Sequence, residues 1–249
     1  MDEMAEAVAE LESEQHDLEV LLRGLEPELW SAPTPAAGWD VRDQVSHLAD
    51  TSDVCADTVT GGPRQLNEEA LAAPSPEAYT ESGCVKGRAM TPEEVLQWYV
   101  ATSARSRDAL LSKGPKDRVP WGLGMSARMM VTARLMEHWA HGCDIREAVG
   151  APLTAPPHLR SIALLALRAV PYALSVAKVA PPPGTLSAEL TFGTEVWHLG
   201  PEDASDVISG DAFEFCRLGT QRARRSDLPS LRARGQLAEA ALDNMRAFL

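Results

Sequence analysis

The chain has 249 residues, enough for one large domain or two modest ones, and with 45% hydrophobic and 24% charged residues it has the composition of a folded globular protein. Its formal net charge of −13 repels phosphate backbones and anionic lipid, so we expect neither nucleic acid nor a membrane surface as a partner. No apolar run reaches the roughly 18 residues of a membrane span, and the acidic N-terminus is unlike a signal peptide.

The cysteines indicate the compartment. Cys55, Cys84, Cys143 and Cys216 are scattered along the chain without a CxxC pair. In a chain of this size that distribution favours reduced thiols over a disulfide framework. We therefore expect a cytoplasmic protein.

The first 150 residues predict four long helices joined by one long and two shorter connections. Apolar residues recur at spacings of three, four and seven in the first of them, and Thr91, Pro92 and Glu94 form a strong helix start in the third. The predicted helices cover residues 2–25, 41–59, 91–113 and 126–148. Residues 62–90 are polar and rich in Pro, Ser and Gly, so we expect an irregular connection there, with room for a short helix.

The pattern changes after residue 150. A helix is predicted over 157–177 with an interruption at Pro171, followed by two short strands around the turn at Gly193 and Thr194. A third strand is expected in "DASDVISGD", and helices near 211–218 and 235–247. The predicted fold class is α+β, with a four-helix bundle over 1–150 and a small α+β C-terminal domain over 151–249.

Three residues in the predicted bundle have the chemistry of a metal site. Glu137 and His141 lie four apart, so their side chains share one helical face. His47 on the second helix is the candidate third ligand if the two helices are neighbours. Two histidines and one carboxylate leave at least one coordination position open, as in catalytic zinc sites and facial-triad metal sites.

Other interpretations stay open on spacing alone. A histidine beside an apolar stripe is more often a satisfied core residue than a ligand, and His138 can also pair with His141 at a spacing of three. We prefer Glu137, because His138 is rotated by roughly 100° from that face. Asp43, Asp50 and Asp144 are acids about one turn from a candidate ligand, where they can accept the outer imidazole N–H.

Two segments carry a family resemblance. "GWDVRDQVSHLAD" (38–50) and "RLMEHWAHGCDI" (134–145) resemble the mycothiol-dependent maleylpyruvate isomerase family, part of the wider DinB-like metal-binding helical bundles. The C-terminal stretches "PYALSV", "ISGDAFEFCRLGTQR" and "AEAALDNMRAFL" resemble an actinobacterial subgroup described only as metal-binding. The resemblance covers essentially the whole chain. The family pattern corresponds to Trp39, His47, Arg134, Glu137, His141 and Asp144.

The resemblance implies a DinB-like four-helix bundle holding a divalent metal ion by His47, Glu137, His141 and water. Zinc is the expected ion, with nickel and iron as alternatives, and mycothiol is the candidate co-substrate. Binding to a divalent cation deprotonates a thiol, which is the form that attacks an electrophilic acid. The resemblance also implies a catalytic arginine for the anionic substrate. Arg222 in "GTQRARR" is the nearest match, although Arg224 and Arg225 are as suitable by type, and all three also read as a solvated basic cluster.

The leading functional prediction is a metal-dependent, thiol-using transferase or isomerase acting on a small electrophilic or acidic molecule. One alternative keeps the metal and replaces the thiol by water, giving a hydrolase, lyase or isomerase. Another is a metal-binding accessory protein without turnover, which four ligands, with His138 as the fourth, would favour. Nothing in residues 62–90 aligns with a substrate pocket, so the substrate is left open, as is the oligomeric state.

Overall fold

The computed structural model describes residues 2–247. The chain separates into two compact units between Leu153 and Thr154, a few residues beyond the boundary suggested by the sequence. The helices of the first unit are α1 (Glu3–Arg23), α2 (Val41–Thr60), α3 (Leu66–Ala72), α4 (Pro76–Arg88), α5 (Pro92–Leu111) and α6 (Ala127–Val149). A 3₁₀ helix spans Pro27–Ser31, and β1 (Arg118–Val119) pairs with β2 (Met125–Ser126) in a short antiparallel hairpin.

The ends of the long helices follow from local sequence. Asp40 accepts a hydrogen bond from the backbone of Asp43 while the Asp43 side chain accepts one from the backbone of Asp40, which is a capping box at the start of α2. Thr91 and Glu94 form the same arrangement at the start of α5. Gly61 ends α2 with a φ of 78°, a left-handed conformation that favours glycine. The four predicted long helices are confirmed within a few residues at each end.

The four long helices form a ring in which α2 and α1 each pack against both α5 and α6. Apolar side chains from these helices, together with Trp30 from the 3₁₀ helix, meet in one buried cluster. Burying this surface is the main stabilising contribution to such a bundle. The cluster contains Leu18, Leu22, Trp30, Val41, Val45, Leu48, Ala49, Val95, Leu96, Tyr99 and Ile145.

The prediction of an irregular connection over 62–90 was wrong, because α3 and α4 cover most of it and α4 runs for 13 residues. α4 lies very close to α2 because Gly83 and Gly87 present no side chain. A Cβ added at Gly87 would lie 2.5 Å from Cβ of Ser46, and one at Gly83 would lie 2.8 Å from Cβ of Asp50. The same glycines weaken the helical pattern of the sequence, since glycine disfavours helix by roughly 1 kcal/mol relative to alanine.

The second unit combines helices with a four-stranded sheet. The strand order is β4-β3-β5-β6, with β3 parallel to β5 and the other neighbours antiparallel. Its elements are α7 (Leu159–Arg168), α8 (Val170–Val176), β3 (Leu186–Phe192), β4 (Glu195–Leu199), β5 (Asp206–Asp211), α9 (Ala212–Gly219), β6 (Arg232–Arg234) and α10 (Gln236–Asn244), with a 3₁₀ turn over Arg225–Asp227.

The predicted α+β class is confirmed, as are the break near Pro171 and the three predicted strands. The predicted last helix was too long, since α10 ends at Asn244. β6 and the β1–β2 hairpin were not predicted, because their strands have only two or three residues each.

Two further observations concern segments and thiols. Within residues 2–247 no single helix is long and apolar enough to cross a membrane; α7 and α8 pass that test only as a pair bent by 50°. All four cysteines are buried free thiols.

The close approach of α4 to α2 makes Gly87→Ala destabilising. The added methyl group has to displace Ser46, and overpacking of this kind costs about 1–3 kcal/mol of the free energy of unfolding. Urea denaturation of both variants measures it, with Gly24→Ala as the matched control: Gly24 follows α1 in a right-handed conformation, with no neighbour closer than 3.5 Å to an added Cβ. Equal midpoints for the two variants would contradict the close packing.

Candidate metal centre

The bundle brings together the three candidate ligands that the sequence indicates. His47 projects from α2, and Glu137 and His141 project from α6, which packs beside it. One ligand atom from each residue lies within 4.8 Å of the other two. Both histidines are 8% exposed, and Nε2 of His141 lies 3.5 Å from Oε2 of Glu137. This is a compact, nearly buried group of two imidazoles and one carboxylate.

A residue that the sequence analysis missed orients His141. Nδ1 of His141 donates to Oε1 of Gln44, which lies on α2 one turn before His47. The amide nitrogen of Gln44 in turn donates to Asp144 at 3.3 Å and to the Thr34 hydroxyl at 2.9 Å. With its Nδ1 held in this way, the ring of His141 presents Nε2 to Glu137, which is the arrangement that metal-binding histidines use.

The ring of His47 is oriented by a backbone group of α4. Its Nδ1 donates to the carbonyl oxygen of Thr80 at 3.4 Å, leaving Nε2 as the candidate ligand atom. Trp39 packs on both imidazoles, with ring centroids 5.0 Å from His47 and 6.2 Å from His141. The indole nitrogen of Trp39 donates to Glu81 on α4 at 3.0 Å. Trp39 therefore forms an aromatic wall of the site.

The protonation states suit cation binding. Burial, reinforced by nearby His141, lowers the pKa of His47 to about 3, so its imidazole is neutral at neutral pH. Burial opposes the ionisation of Glu137, but its hydrogen bond and charge interaction with His141, together with the positive charge of Arg134, prevail and lower its pKa to about 2. Neutral imidazole and ionised carboxylate are the forms that bind a divalent metal.

Only one of the three acids predicted around the site lies near a candidate ligand. Oδ2 of Asp144 lies 4.0 Å from Nδ1 of His141, with Gln44 bonded to both residues. Asp43 instead binds Arg88 at 2.8 Å, and Asp50 binds Arg64 at 2.8 Å. For these two acids the predicted outer contact to His47 was wrong, because arginines from the 62–90 segment occupy their carboxylates.

His138 faces a different part of the bundle. Its Nδ1 donates to the backbone oxygen of Arg134 at 2.8 Å, and its Nε2 accepts from the Gln15 amide on α1 at 3.2 Å. Both ring nitrogens are thus engaged, and the ring packs 5.9 Å from that of Tyr99. Among the described residues, the group able to hold a metal comprises His47, Glu137 and His141, without His138.

The arginines considered for the substrate lie in the second unit. Arg222 follows α9 and is half-buried; its Nη1 donates to the carbonyl of Thr220 at 2.7 Å. Arg225 pairs with Glu239 and Asp243 of α10, so its charge is engaged locally. Arg224 is exposed. A substrate role for Arg222 stays a prediction.

Fold and site together define a class: helical-bundle proteins with a cluster of two histidines and one carboxylate between neighbouring helices. The chain matches the family described as "Mycothiol maleylpyruvate isomerase N-terminal domain" over residues 11–146. The protein belongs to this family.

Similar proteins extend the match over nearly the whole chain. "Uncharacterized protein MT0041" and "Uncharacterized protein Rv0036c", from two strains of Mycobacterium tuberculosis, are each 36% identical over 243 residues, covering 97% of this chain and 94% of theirs. The crystal structure of the mycothiol-dependent maleylpyruvate isomerase has a TM-score of 0.64 at 17% identity, covering 92% of both chains. A histidine-to-alanine mutant of that enzyme gives 0.63 at 16% identity, again with 92% coverage of both. At these identities the two crystal structures establish a shared fold.

The hydrogen bonds of His138 predict that His138→Leu leaves metal content unchanged and lowers stability. The substitution leaves the buried Gln15 amide without its acceptor, at a cost of about 1–3 kcal/mol. Elemental analysis and urea denaturation measure the two effects, and His16→Leu at an exposed position of α1 is the control. Loss of metal in His138→Leu, with the fold intact, would make His138 a ligand after all.

Proposed function

We propose that this protein is a metal-dependent enzyme in which His47, Glu137 and His141 hold a divalent ion, with zinc as the first choice and nickel or iron as alternatives. These residues would hold the ion, which would supply the Lewis acidity that activates a low-molecular-weight thiol, mycothiol, for transfer to, or isomerisation of, a small electrophilic or acidic molecule. The observation that carries the proposal is the cluster of three ligand atoms within 4.8 Å in a nearly buried site.

The donor set fits such an ion. Two imidazoles and a carboxylate are common ligands of zinc, nickel and iron. Each histidine has its Nδ1 engaged by an outer partner, Gln44 or the Thr80 carbonyl, so that Nε2 remains for coordination. A bound divalent cation at an open site supplies Lewis acidity, lowering the pKa of a thiol or a water molecule.

The residues around the triad have separable roles. Glu137 supplies the negative charge that offsets part of the charge of the cation, and Gln44 holds the ring of His141 in one orientation. Trp39 shields one side of both imidazoles from water. The engagement of both His138 ring nitrogens by Gln15 and the Arg134 backbone supports a site with three protein ligands and an open coordination position.

The thiol part of the proposal rests on family membership. The domain that defines the family is described by mycothiol and maleylpyruvate isomerisation, and the crystal structures that share this fold are of a mycothiol-dependent maleylpyruvate isomerase. We propose that this chain also uses a thiol, but we do not propose maleylpyruvate as its substrate. Arg222 is proposed to bind an anionic group of the substrate.

Metal content tests the ligand assignment. Untagged wild-type protein is expected to hold about one divalent ion per chain, and His47→Ala, Glu137→Ala and His141→Ala are each expected to lose most of it while helical circular dichroism persists. His198→Ala, at an exposed position of β4, is the control. A His47→Ala protein with a full complement of metal would refute the assignment.

The outer contact to His141 is tested by Gln44→Leu. The side chain keeps its approximate size but no longer accepts the Nδ1 proton, so zinc affinity should fall about 10–100-fold. Competition with a chromogenic chelator measures the dissociation constant, and Gln97→Leu, an exposed glutamine of α5, is the control. An unchanged dissociation constant would mean that Gln44 has no part in metal binding.

Thiol use is tested by turnover of small unsaturated acids by the metal-loaded protein, with and without mycothiol. The proposal requires turnover that depends on both metal and mycothiol and that is lost in Glu137→Ala. Turnover that needs the metal and is independent of thiol would identify a hydrolase, lyase or thiol-free isomerase. Full metal occupancy without turnover of any of the unsaturated acids would favour a non-catalytic accessory role.

A further inference from the structure

Arg134 is a buried cation on the same face of α6 as the candidate ligands. It lies three residues before Glu137 and seven before His141, so all three side chains fall along one side of the helix. The residue is 3% exposed. The Thr51 hydroxyl connects it to the site, because it accepts a hydrogen bond from this guanidinium and donates one to the backbone oxygen of His47.

The guanidinium group of Arg134 lacks a hydrogen-bond acceptor for its Nε–H and has no ion-pair partner among the described residues. Its Nη2 donates to the hydroxyl groups of Thr51 at 3.0 Å and Ser52 at 3.4 Å. Its Nε is buried and has no hydrogen-bond acceptor, and among residues 2–247 no carboxylate forms an ion pair with this guanidinium. A buried charge is costly unless it is paired, because it has lost its hydration without gaining a counter-charge.

The nearby acids are bound elsewhere. On α2, Asp50 pairs with Arg64, Asp53 with Arg64 and Arg105, and Asp57 with Arg105. On α6, Glu137 faces the ring of His141. The three acids of α2 therefore have other arginines as partners, and no carboxylate among the described residues forms an ion pair with Arg134.

Arg146 provides the contrast within the same helix. It is as buried as Arg134, and its guanidinium is paired with the carboxylate of Asp17 on α1. The sequence therefore supplies a counter-ion to one buried arginine of α6 and withholds it from the arginine beside the candidate metal site.

Tyr79 on α4 adds a second unmatched donor. Its hydroxyl oxygen is buried without a hydrogen-bond partner. Burial raises the pKa of Tyr79 to about 12, so the hydroxyl keeps its proton at neutral pH. A guanidinium Nε and a phenol O–H both need an acceptor, and only the first carries charge. A carboxylate supplies two acceptor oxygens and one negative charge.

We propose that Arg134, assisted by Tyr79, forms an anion subsite beside the triad that binds a carboxylate group of the small molecule on which the protein acts. The assignment rests on the proposed function for the statement that this molecule is the substrate. Binding itself requires Arg134 and not the metal. A carboxylate at Arg134 also lowers the net positive charge next to a divalent cation, so each should tighten the binding of the other.

Calorimetric titration of succinate into metal-free and zinc-loaded protein tests the subsite, with succinamide as the uncharged analogue. We expect wild type to bind succinate and not succinamide, and Arg134→Gln to bind succinate at least tenfold more weakly in both forms. Arg146→Gln is the matched control and should bind as wild type does. Equal succinate affinity in wild type and Arg134→Gln would overturn the subsite, as would phosphate binding as tightly as succinate.

Melting temperatures distinguish a loss of succinate binding from a loss of folding. Arg134→Gln removes an unpaired charge, so without succinate its melting temperature should not fall, whereas Arg146→Gln breaks a buried ion pair and should melt at a lower temperature.

Tyr79→Phe tests the second residue of the subsite. It leaves the guanidinium intact and should weaken succinate binding several-fold; an unchanged affinity would remove Tyr79 from the subsite. Because the metal-free titration needs neither metal nor thiol, it separates failure of this subsite from failure of the proposed function.

Discussion

The hydrogen bond between Gln44 of α2 and His141 of α6 is the contact on which the candidate site depends. It connects the two helices that carry all three ligand candidates, and Asp144 and Thr34 fix the Gln44 amide in turn. Without it the His141 ring would be free to rotate about its side-chain bonds, and the spacing of Glu137 and His141 on one helical face would not by itself aim a nitrogen at the carboxylate. Sequence spacing puts the residues on one face, and tertiary hydrogen bonds decide which atoms they present.

Charge in this bundle is distributed in two ways. Along α2, the buried acids Asp43, Asp50 and Asp57 pair with arginines from the 62–90 segment and from α5, which attaches this segment to the bundle. Between α2 and α6 the matching is incomplete, since Arg134 is buried with hydroxyl partners alone. A protein with an excess of acidic residues thus keeps one buried arginine unpaired at the place where it holds its candidate metal ligands. Buried polar or charged groups that lack hydrogen-bond or ion-pair partners are characteristic of functional sites.

Much of the fold was predictable because it depends on residues that are close together in the sequence. Capping residues such as Asp40 and Thr91 and the apolar spacing of the long helices gave their positions, and the triad followed from helical spacing together with the family resemblance. The remainder depends on contacts between distant segments. α4 is polar and contains Gly83 and Gly87, so its helical character emerges only where it packs on α2. No sequence pattern distinguishes Gln44 from a surface glutamine, because its role depends on its contact with α6.

The orientation of His47 by the Thr80 carbonyl has a consequence for how the sequence can vary. A backbone oxygen is present whatever residue occupies position 80, and the Thr80 side chain is exposed, so substitutions there leave the acceptor in place. The Thr80 oxygen reaches His47 because α4 lies close to α2, and Gly83 and Gly87 allow this close approach. In homologous chains, the tolerance for substitution is therefore expected to be wide at position 80 and narrow at the two glycines.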